Sequence, residues 1–268
     1  MWIIDFGKGR SEAEASLYQT PFAHLQEQVL PIRLENKRDS YRRLWWQHVE
    51  SRPAMFAVLR PLERFLVTTT VSKHRLFGWA CAPTNPDHQL IVFARADDYF
   101  FGVLHSRIHE AWALGQGTQL REKESGFRYT PTTCFETFPM PEPTPEHEAA
   151  ISAAARELND LRERWLNPPE WTREEILEFP ATPDGPWARF VAPGSTTARW
   201  PRRVPIDAAH AAKLAKRTLT NLYNERPAWL AHAHAALDAA VCQAYGWPVD
   251  LTNEEVLARL LEKNRDTK

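Results

Sequence analysis

The stretch Phe65-Leu66-Val67-Thr68-Thr69-Thr70-Val71-Ser72-Lys73-His74-Arg75-Leu76-Phe77 decides how the chain is read. Its first seven residues are rich in β-branched side chains, which suit the pleated surface of a strand. Ser72-Lys73-His74-Arg75 then breaks the apolar run with a polar, basic tetrapeptide. At the end of a strand, such a stretch presents donors to phosphate oxygens or base edges. Working downstream, His88-Gln89-Leu90-Ile91-Val92-Phe93-Ala94-Arg95 predicts a second strand, and its apolar run suggests burial. Asp97-Asp98 reads as a turn. Tyr99 to Leu104 reads as a third strand or the start of a helix, and Ser106 to Leu114 as a helix closed by Gly115. Arg128 to Pro143 reads as extended segments and loop.

Upstream, Trp2 to Phe6 predicts a short strand. Ser11 and Glu14 have the spacing of a capping box, and Pro21 is expected to stop or kink the helix that follows. Leu34 to Val49 reads as a helix carrying Arg42 and Arg43 beside Trp45 and Trp46; Pro53 bounds another near Ala54 to Leu62. Beyond residue 143 the pattern turns helical. Thr144 can cap, and Pro145 suits the first helical position. Ile151, Ala154, Leu158, Leu161 and Trp165 form one apolar stripe that ends before Asn167-Pro168-Pro169. Residues 179–205 hold six prolines and read as a loop. Pro227 to Tyr245 reads as a helix with Gly246 at its C-terminal cap position, and Thr252-x-x-Glu255 opens a last one. The expected fold class is α+β: a mixed β-sheet domain with helices over 1–143, a linking helix over 144–178, a proline-rich loop or linker over 179–217 and a helical region over 218–268.

The composition is that of a globular chain: 268 residues, 43% hydrophobic and 25% charged. No apolar run of about 18 residues exists, so no transmembrane helix is expected, and the N-terminus lacks the pattern of a secretory signal. Cys81, Cys134 and Cys242 lie far apart, which predicts neither a disulfide framework nor a cysteine zinc site, and a reducing cytoplasm. The net charge of −1 conceals a partition. Residues 31–80 hold 10 Lys/Arg against 4 Asp/Glu, residues 141–190 hold 5 against 11, and residues 191–230 hold 7 against 2. Solvated helix faces are the plainer account; the segregation also leaves room for a basic face.

Most constellations that could carry chemistry fail on their surroundings. Asn167-Pro168-Pro169-Glu170 resembles the Asn-Pro-Pro-aromatic motif of amino-methyltransferases, whose ring stacks on the flipped base. Glu170 has no ring, and the motif follows an amphipathic helix. No glycine-rich turn after an early strand is present to hold S-adenosylmethionine. Glu35-Asn36-Lys37, with Asp5, matches half of a metal-dependent nuclease site, but Glu35 falls in a helical pattern. His105, His109 and Glu110 offer two imidazoles one turn apart without an evident third ligand, and His232 and His234 point to opposite sides of a helix. No nucleophile elbow and no Walker loop occur. The remaining candidates are Lys73, His74 and Arg75 for phosphate or base contact, Arg42 and Arg43 beside the flat surface of Trp45 and Trp46, and Thr132 and Thr133 as hydroxyl partners. For each, a surface charge or a turn residue is the plainer account.

Three stretches carry a resemblance. They are Val71 to Phe77; Leu90-Ile91-Val92-Phe93-Ala94-Arg95-Ala96-Asp97-Asp98-Tyr99-Phe100-Phe101-Gly102-Val103-Leu104-His105-Ser106; and Tyr129-Thr130-Pro131-Thr132-Thr133-Cys134-Phe135-Glu136-Thr137-Phe138-Pro139. Together they resemble the target-recognition domain of MmeI-like DNA methyltransferases and restriction-modification enzymes. Trp2 to Gly7 resembles the entry to that domain. Thr218 to Asn224 and Ala244-Tyr245-Gly246-Trp247 resemble the family's helical C-terminal region. The resemblance implies the DNA-reading portion of an adenine-specific methyltransferase, with double-stranded DNA and a methyltransferase catalytic core as partners. It implies no catalytic or metal-binding residue here, and no cofactor in this chain: S-adenosylmethionine is expected on the catalytic core. Base-reading positions vary within the family and are not carried over. The alternatives are an assembly subunit without base reading, or a self-sufficient methyltransferase or nuclease.

Overall fold

The computed structural model describes residues 3–48, 52–81, 83–119, 126–181 and 185–266. The chain falls into two compact units, Met1–Val58 and Leu59–Lys268. The first unit is helical: α1 (Glu12–Ser16), α2 (Gln19–Gln28), α3 (Leu30–Leu34), α4 (Asp39–Arg43) and α5 (Pro53–Leu59), whose last residue belongs to the second unit. Ser11 caps α1 through the expected box: its Oγ accepts from Glu14 N at 3.2 Å, and the Glu14 carboxylate accepts from Ser11 N at 2.8 Å.

Four expectations for this unit change. Residues 3–6 form no strand; no neighbouring strand pairs with them among the described residues, and Trp2 lies outside these. Pro21 neither stops nor kinks a helix, because it sits in the first turn of α2, where a missing N–H leaves no bond unmade. The helix expected over Leu34 to Val49 is broken. Asn36 Oδ1 accepts from Arg38 N at 2.9 Å, and this local bond competes with the helical one; Val49 lies outside the described residues. Trp45 and Trp46 offer no flat outer surface. They are buried with Ala15 and Phe22, and Trp46 Nε1 donates to Arg10 O at 3.0 Å.

The second unit begins with β1 (Arg64–Thr69), β2 (Val71–Ser72), β3 (Phe77–Cys81) and β4 (Leu90–Phe93). β1 is central and antiparallel to both neighbours, with Leu66 opposite Trp79 on one side and Phe93 on the other. Helices α6 (Asp98–His105) and α7 (Arg107–Gln116) follow. Asp97-Asp98 therefore opens a helix instead of a turn: Asp97 Oδ1 accepts from Phe100 N at 2.8 Å, a helix cap. Tyr99 to Leu104 is accordingly helical. Gly115 lies within α7, and Gly117 takes the cap. At Gly102 a Cβ would meet Ile151 Cγ2 at 2.7 Å, so the glycine allows close approach of the neighbouring helix.

Next come β5 (Thr118–Gln119) and β6 (Phe127–Arg128), which with β2 make a second sheet in the order β2-β6-β5. A single π-helical turn, Pro131–Phe135, stands where extended chain was expected. α8 (Pro145–Leu166) starts at its Thr144 cap and buries Ile151, Ala155 and Leu158. Strand replaces the expected linking helix over 172–178 and corrects the loop reading over 179–205. β7 (Thr172–Pro180) and β8 (Thr197–Pro205) form an antiparallel ladder from Thr172↔Pro205 to Pro180↔Thr197. Its prolines are tolerated because a two-stranded ladder leaves outward N–H groups unpaired in any case. Trp200 packs edge-on against Phe190 and Trp187, with centroids 4.7 and 5.2 Å away.

Helices α9 (Ala208–Leu214), α10 (Leu219–Glu225), α11 (Ala228–Tyr245) and α12 (Asn253–Asp266) complete the chain. Gly246 ends α11 at φ 68°. α8 packs on α6 and α11, so the sheets and the C-terminal helices share one core that includes Phe77, Phe101, Trp112, Leu158, Leu237 and Leu260. Burying side chains of this size stabilises by about 1.5–3 kcal/mol each. The fold is α+β. No helix among the described residues is long and apolar enough to cross a membrane.

Candidate nucleic-acid interface

The tetrapeptide turns between β2 and β3, and its side chains part company. Arg75 goes inward and is only 4% exposed. Its guanidinium donates to Thr68 Oγ1 at 3.0 Å, to Thr69 O and to Phe127 O at 3.3 Å. It also lies over the rings of Phe127 and Tyr129, with centroids 4.7 and 4.9 Å away. Burial pulls its pKa down to about 10, still far above neutrality, so it stays charged. The guanidinium ties β1 to β6 and fixes the turn from within. The expectation that the scaffold holds Arg75 at the surface is therefore corrected: acceptors from two strands and two ring faces draw the charge inside.

Lys73 and His74 point the other way. Lys73 Nζ donates to Asn224 Oδ1 at 2.8 Å, and His74 Nε2 meets the same oxygen at 2.9 Å. Ser72 Oγ closes the turn onto His74 O at 2.7 Å. Lys73 is exposed and has no carboxylate within ion-pair distance among the described residues. Held by a neutral oxygen, the Lys73 ammonium keeps its positive charge uncompensated.

The threonine candidates are not gathered here. Thr132 and Thr133 are exposed on the π-helical turn. The ladder sends them away from Lys73: Ser72 pairs with Phe127 at one end and Val71 with Arg128 at the other, so residues 73–74 and 132–133 leave β2 and β6 at opposite ends. Arg42, in the first unit, is partly exposed and donates to Asn36 O at 2.9 Å and to Asp39 Oδ1 at 3.3 Å. Arg43 is exposed beside it.

Behind the turn lies a buried polar chain that the sequence did not reveal. His105 Nε2 and His234 Nε2 each lie 2.8 Å from the Tyr223 hydroxyl. Phe77 N donates to His105 Nδ1 at 3.2 Å, so the ring proton sits on Nε2. Arg162, 3% exposed, approaches that nitrogen at 3.1 Å and donates to Phe77 O at 2.9 Å. Burial first, and Arg162 second, hold His105 well below the usual imidazole range. Burial likewise brings His109 and His234 down to about 4. The sequence paired His105 with His109 for their spacing. The actual partners come from residues 162, 223 and 234, too distant in sequence for any local pattern to join them. No group of residues suited to a metal ion occurs among the described residues.

S-adenosylmethionine does not fit the strand-to-helix connection of the main sheet. The β4–α6 link, Ala94-Arg95-Ala96-Asp97, has no glycine. It is closed by Arg95 Nε on Asp97 Oδ2 at 2.8 Å and by the Asp97 cap. No open cradle of backbone N–H groups remains there.

The second unit is thus an α+β fold of small antiparallel sheets backed by helices, with a basic turn between β2 and β3. Residues 11–142 match the family model described as MmeI, target recognition domain. DNA methyltransferase A of Bacillus subtilis (strain 168) is 32% identical over 101 residues, which is 37% of this chain and 11% of that protein. The structure of the Type IIL restriction-modification enzyme MmeI in complex with DNA superposes with a TM-score of 0.61 at 18% identity. That superposition covers 97% of this chain and 28% of the enzyme. The likeness therefore extends past residue 142 into the hairpin and the C-terminal helices as a likeness of fold. The chain spans only a small part of the length of either relative.

Proposed function

We propose that the chain is the DNA sequence-recognition portion of an S-adenosylmethionine-dependent, adenine-specific DNA methyltransferase in a restriction-modification or related defence system. It grips duplex DNA through phosphate contacts and presents side chains to base edges. A catalytic core in another domain or subunit carries S-adenosylmethionine and receives the flipped adenine. A cytoplasmic location goes with this role. The observation that carries the reading is the outward pair Lys73 and His74, held out by the buried Arg75 within the segment that matches the target-recognition family model. Arg42, Arg43, Thr132 and Thr133 complete the contact set, and Arg75 acts as the brace.

The test is a salt titration of duplex binding by the purified chain. Lys73→Ala should weaken binding alike on unrelated sequences and make the plot of log affinity against log salt shallower by about 0.9. His74→Ala should change discrimination among sites if the imidazole reaches a base edge. A folded chain that binds no duplex at low salt would overturn the reading.

A further inference from the structure

The part of the chain beyond residue 142 lies outside the matched family segment. There, α9 and the turn that leads into α10 gather unneutralised positive charge. Lys213 and Lys216 are exposed, Arg217 is half-buried, and none of the three has a carboxylate within ion-pair distance among the described residues. Two arginines of the neighbouring hairpin differ in this respect. Arg199 is paired with Glu178 at 2.9 Å and Arg202 with Glu175 at 2.9 Å. The nearby Asp207 is turned onto His210 at 2.8 Å.

Aromatic rings hold two of the three charges in place. The Arg217 guanidinium lies 4.9 Å from the Trp165 ring centroid and 4.2 Å from that of Trp171, and it donates to Trp165 O. Lys213 Nζ lies 5.3 Å from the Trp171 centroid. Ring faces orient a cation without cancelling its charge, so the site keeps a fixed positive field that a carboxylate would have quenched.

This cluster joins the basic turn through one short helix. At one end of α10, Asn221 Nδ2 donates to Lys216 O at 2.7 Å; near the other, Asn224 holds Lys73 and His74. Seven helical residues span about 10 Å. Both basic clusters thus flank a single helix, close enough for one stretch of phosphate backbone to meet both.

We propose that the DNA-binding surface runs from the Lys73–His74 turn across α10 to Lys213, Lys216 and Arg217. These three contact backbone phosphates, and Trp165 and Trp171 act as holders of Arg217. This deepens the DNA-binding reading above and rests on it. Its partner is the sugar-phosphate backbone of a duplex, met without regard to base sequence.

The experiment uses the purified chain and two fluorescent duplexes of unrelated sequence, titrated at several salt concentrations. Lys213→Ala with Lys216→Ala should weaken binding equally on both duplexes. The salt slope should become shallower by about 0.9 for each phosphate no longer neutralised, so by nearly two units for the pair. Adding Arg217→Gln should remove a further step. Both lysines are exposed, so the double variant keeps its fold even if the triple does not. If wild type binds, Lys73→Ala weakens it and the Lys213/Lys216 variant binds with unchanged slope, the extension across α10 is wrong while the recognition reading stands. If wild type binds no duplex at all, both fall.

Discussion

Arg75 shows how far a residue type can mislead when its partners are distant in sequence. Ser72-Lys73-His74-Arg75 was legible as a polar turn because it interrupts an apolar run. Nothing local distinguishes Lys73, which stays outside, from Arg75, whose acceptors and ring faces include Phe127 and Tyr129 some fifty residues on. The two residues should respond differently to truncation. Arg75→Ala strips donors from Thr69 O and Phe127 O and should cost about 2–4 kcal/mol of stability. Lys73→Ala should stay within about 0.5 kcal/mol of wild type. Urea midpoints of the two variants check this, and equal midpoints would contradict the brace assigned to Arg75. Asn224 supplies a second test at this scale. Asn224→Asp puts a carboxylate where Lys73 and His74 now share a neutral oxygen. The new ion pair should compete with phosphate and lower duplex affinity several-fold, most strongly at low salt, where exposed charges are least screened. Its thermal midpoint should not fall.

The elements divide by how local their signals are. Helices with explicit caps were legible: Ser11 with Glu14, Thr144 with Pro145, and Thr252 with Glu255 all mark starts that the structure keeps. The β7–β8 hairpin was not, because its prolines argue against a strand, and only pairing over nine positions with glutamate opposite arginine makes the ladder. β3 was missed for a similar reason: Phe77-Gly78-Trp79 becomes a strand because β1 lies alongside it. The small sheet that launches the basic turn depends on Gly126. Its φ is +81°, and a Cβ there would stand 2.0 Å from Ser72 O, a backbone atom that cannot step aside. Gly126→Ala should cost more than about 2 kcal/mol and disrupt the 72–74 turn with it. Gly194, at φ +76° with open space around it, is the control. Gly194→Ala should cost only the left-handed backbone penalty of about 1–2 kcal/mol. Melting temperatures of the two variants measure the difference, and equal losses would mean that the contact with Ser72 yields.

At the scale of the whole molecule, the composition showed the charge segregation but not its meaning. In the 191–230 block, Arg199 and Arg202 are spent on hairpin glutamates, whereas Lys213, Lys216 and Arg217 have no carboxylate within ion-pair distance among the described residues. The buried histidines bind the molecule together more quietly. His105 joins β3, α8, α10 and α11 through Phe77, Arg162, Tyr223 and His234, and His109 is held by Leu104 O and the Tyr129 hydroxyl. All three have depressed pKa values, with burial as the largest cause. Below about pH 6.5 the unfolded chain takes up protons on these rings and the folded chain does not, so stability falls as pH drops from there toward about 4. His109 and His234, each at about 4 when folded, should each cost on the order of 1–2 kcal/mol by pH 5. Asp238 works in the opposite direction. Burial raises its pKa to about 6, so it takes up a proton in the folded state first and offsets part of the loss. Burial raises Glu110 as well, in the same sense as Asp238; three imidazoles against two carboxyls still leave a net loss between pH 7 and 5, seen as a lower urea midpoint. His234→Gln keeps a hydrogen-bonding group near Tyr223 without the titration, and it should flatten the fall by about one histidine's share. A midpoint that holds or rises between pH 7 and 5 would show that these rings accept protons within the folded core.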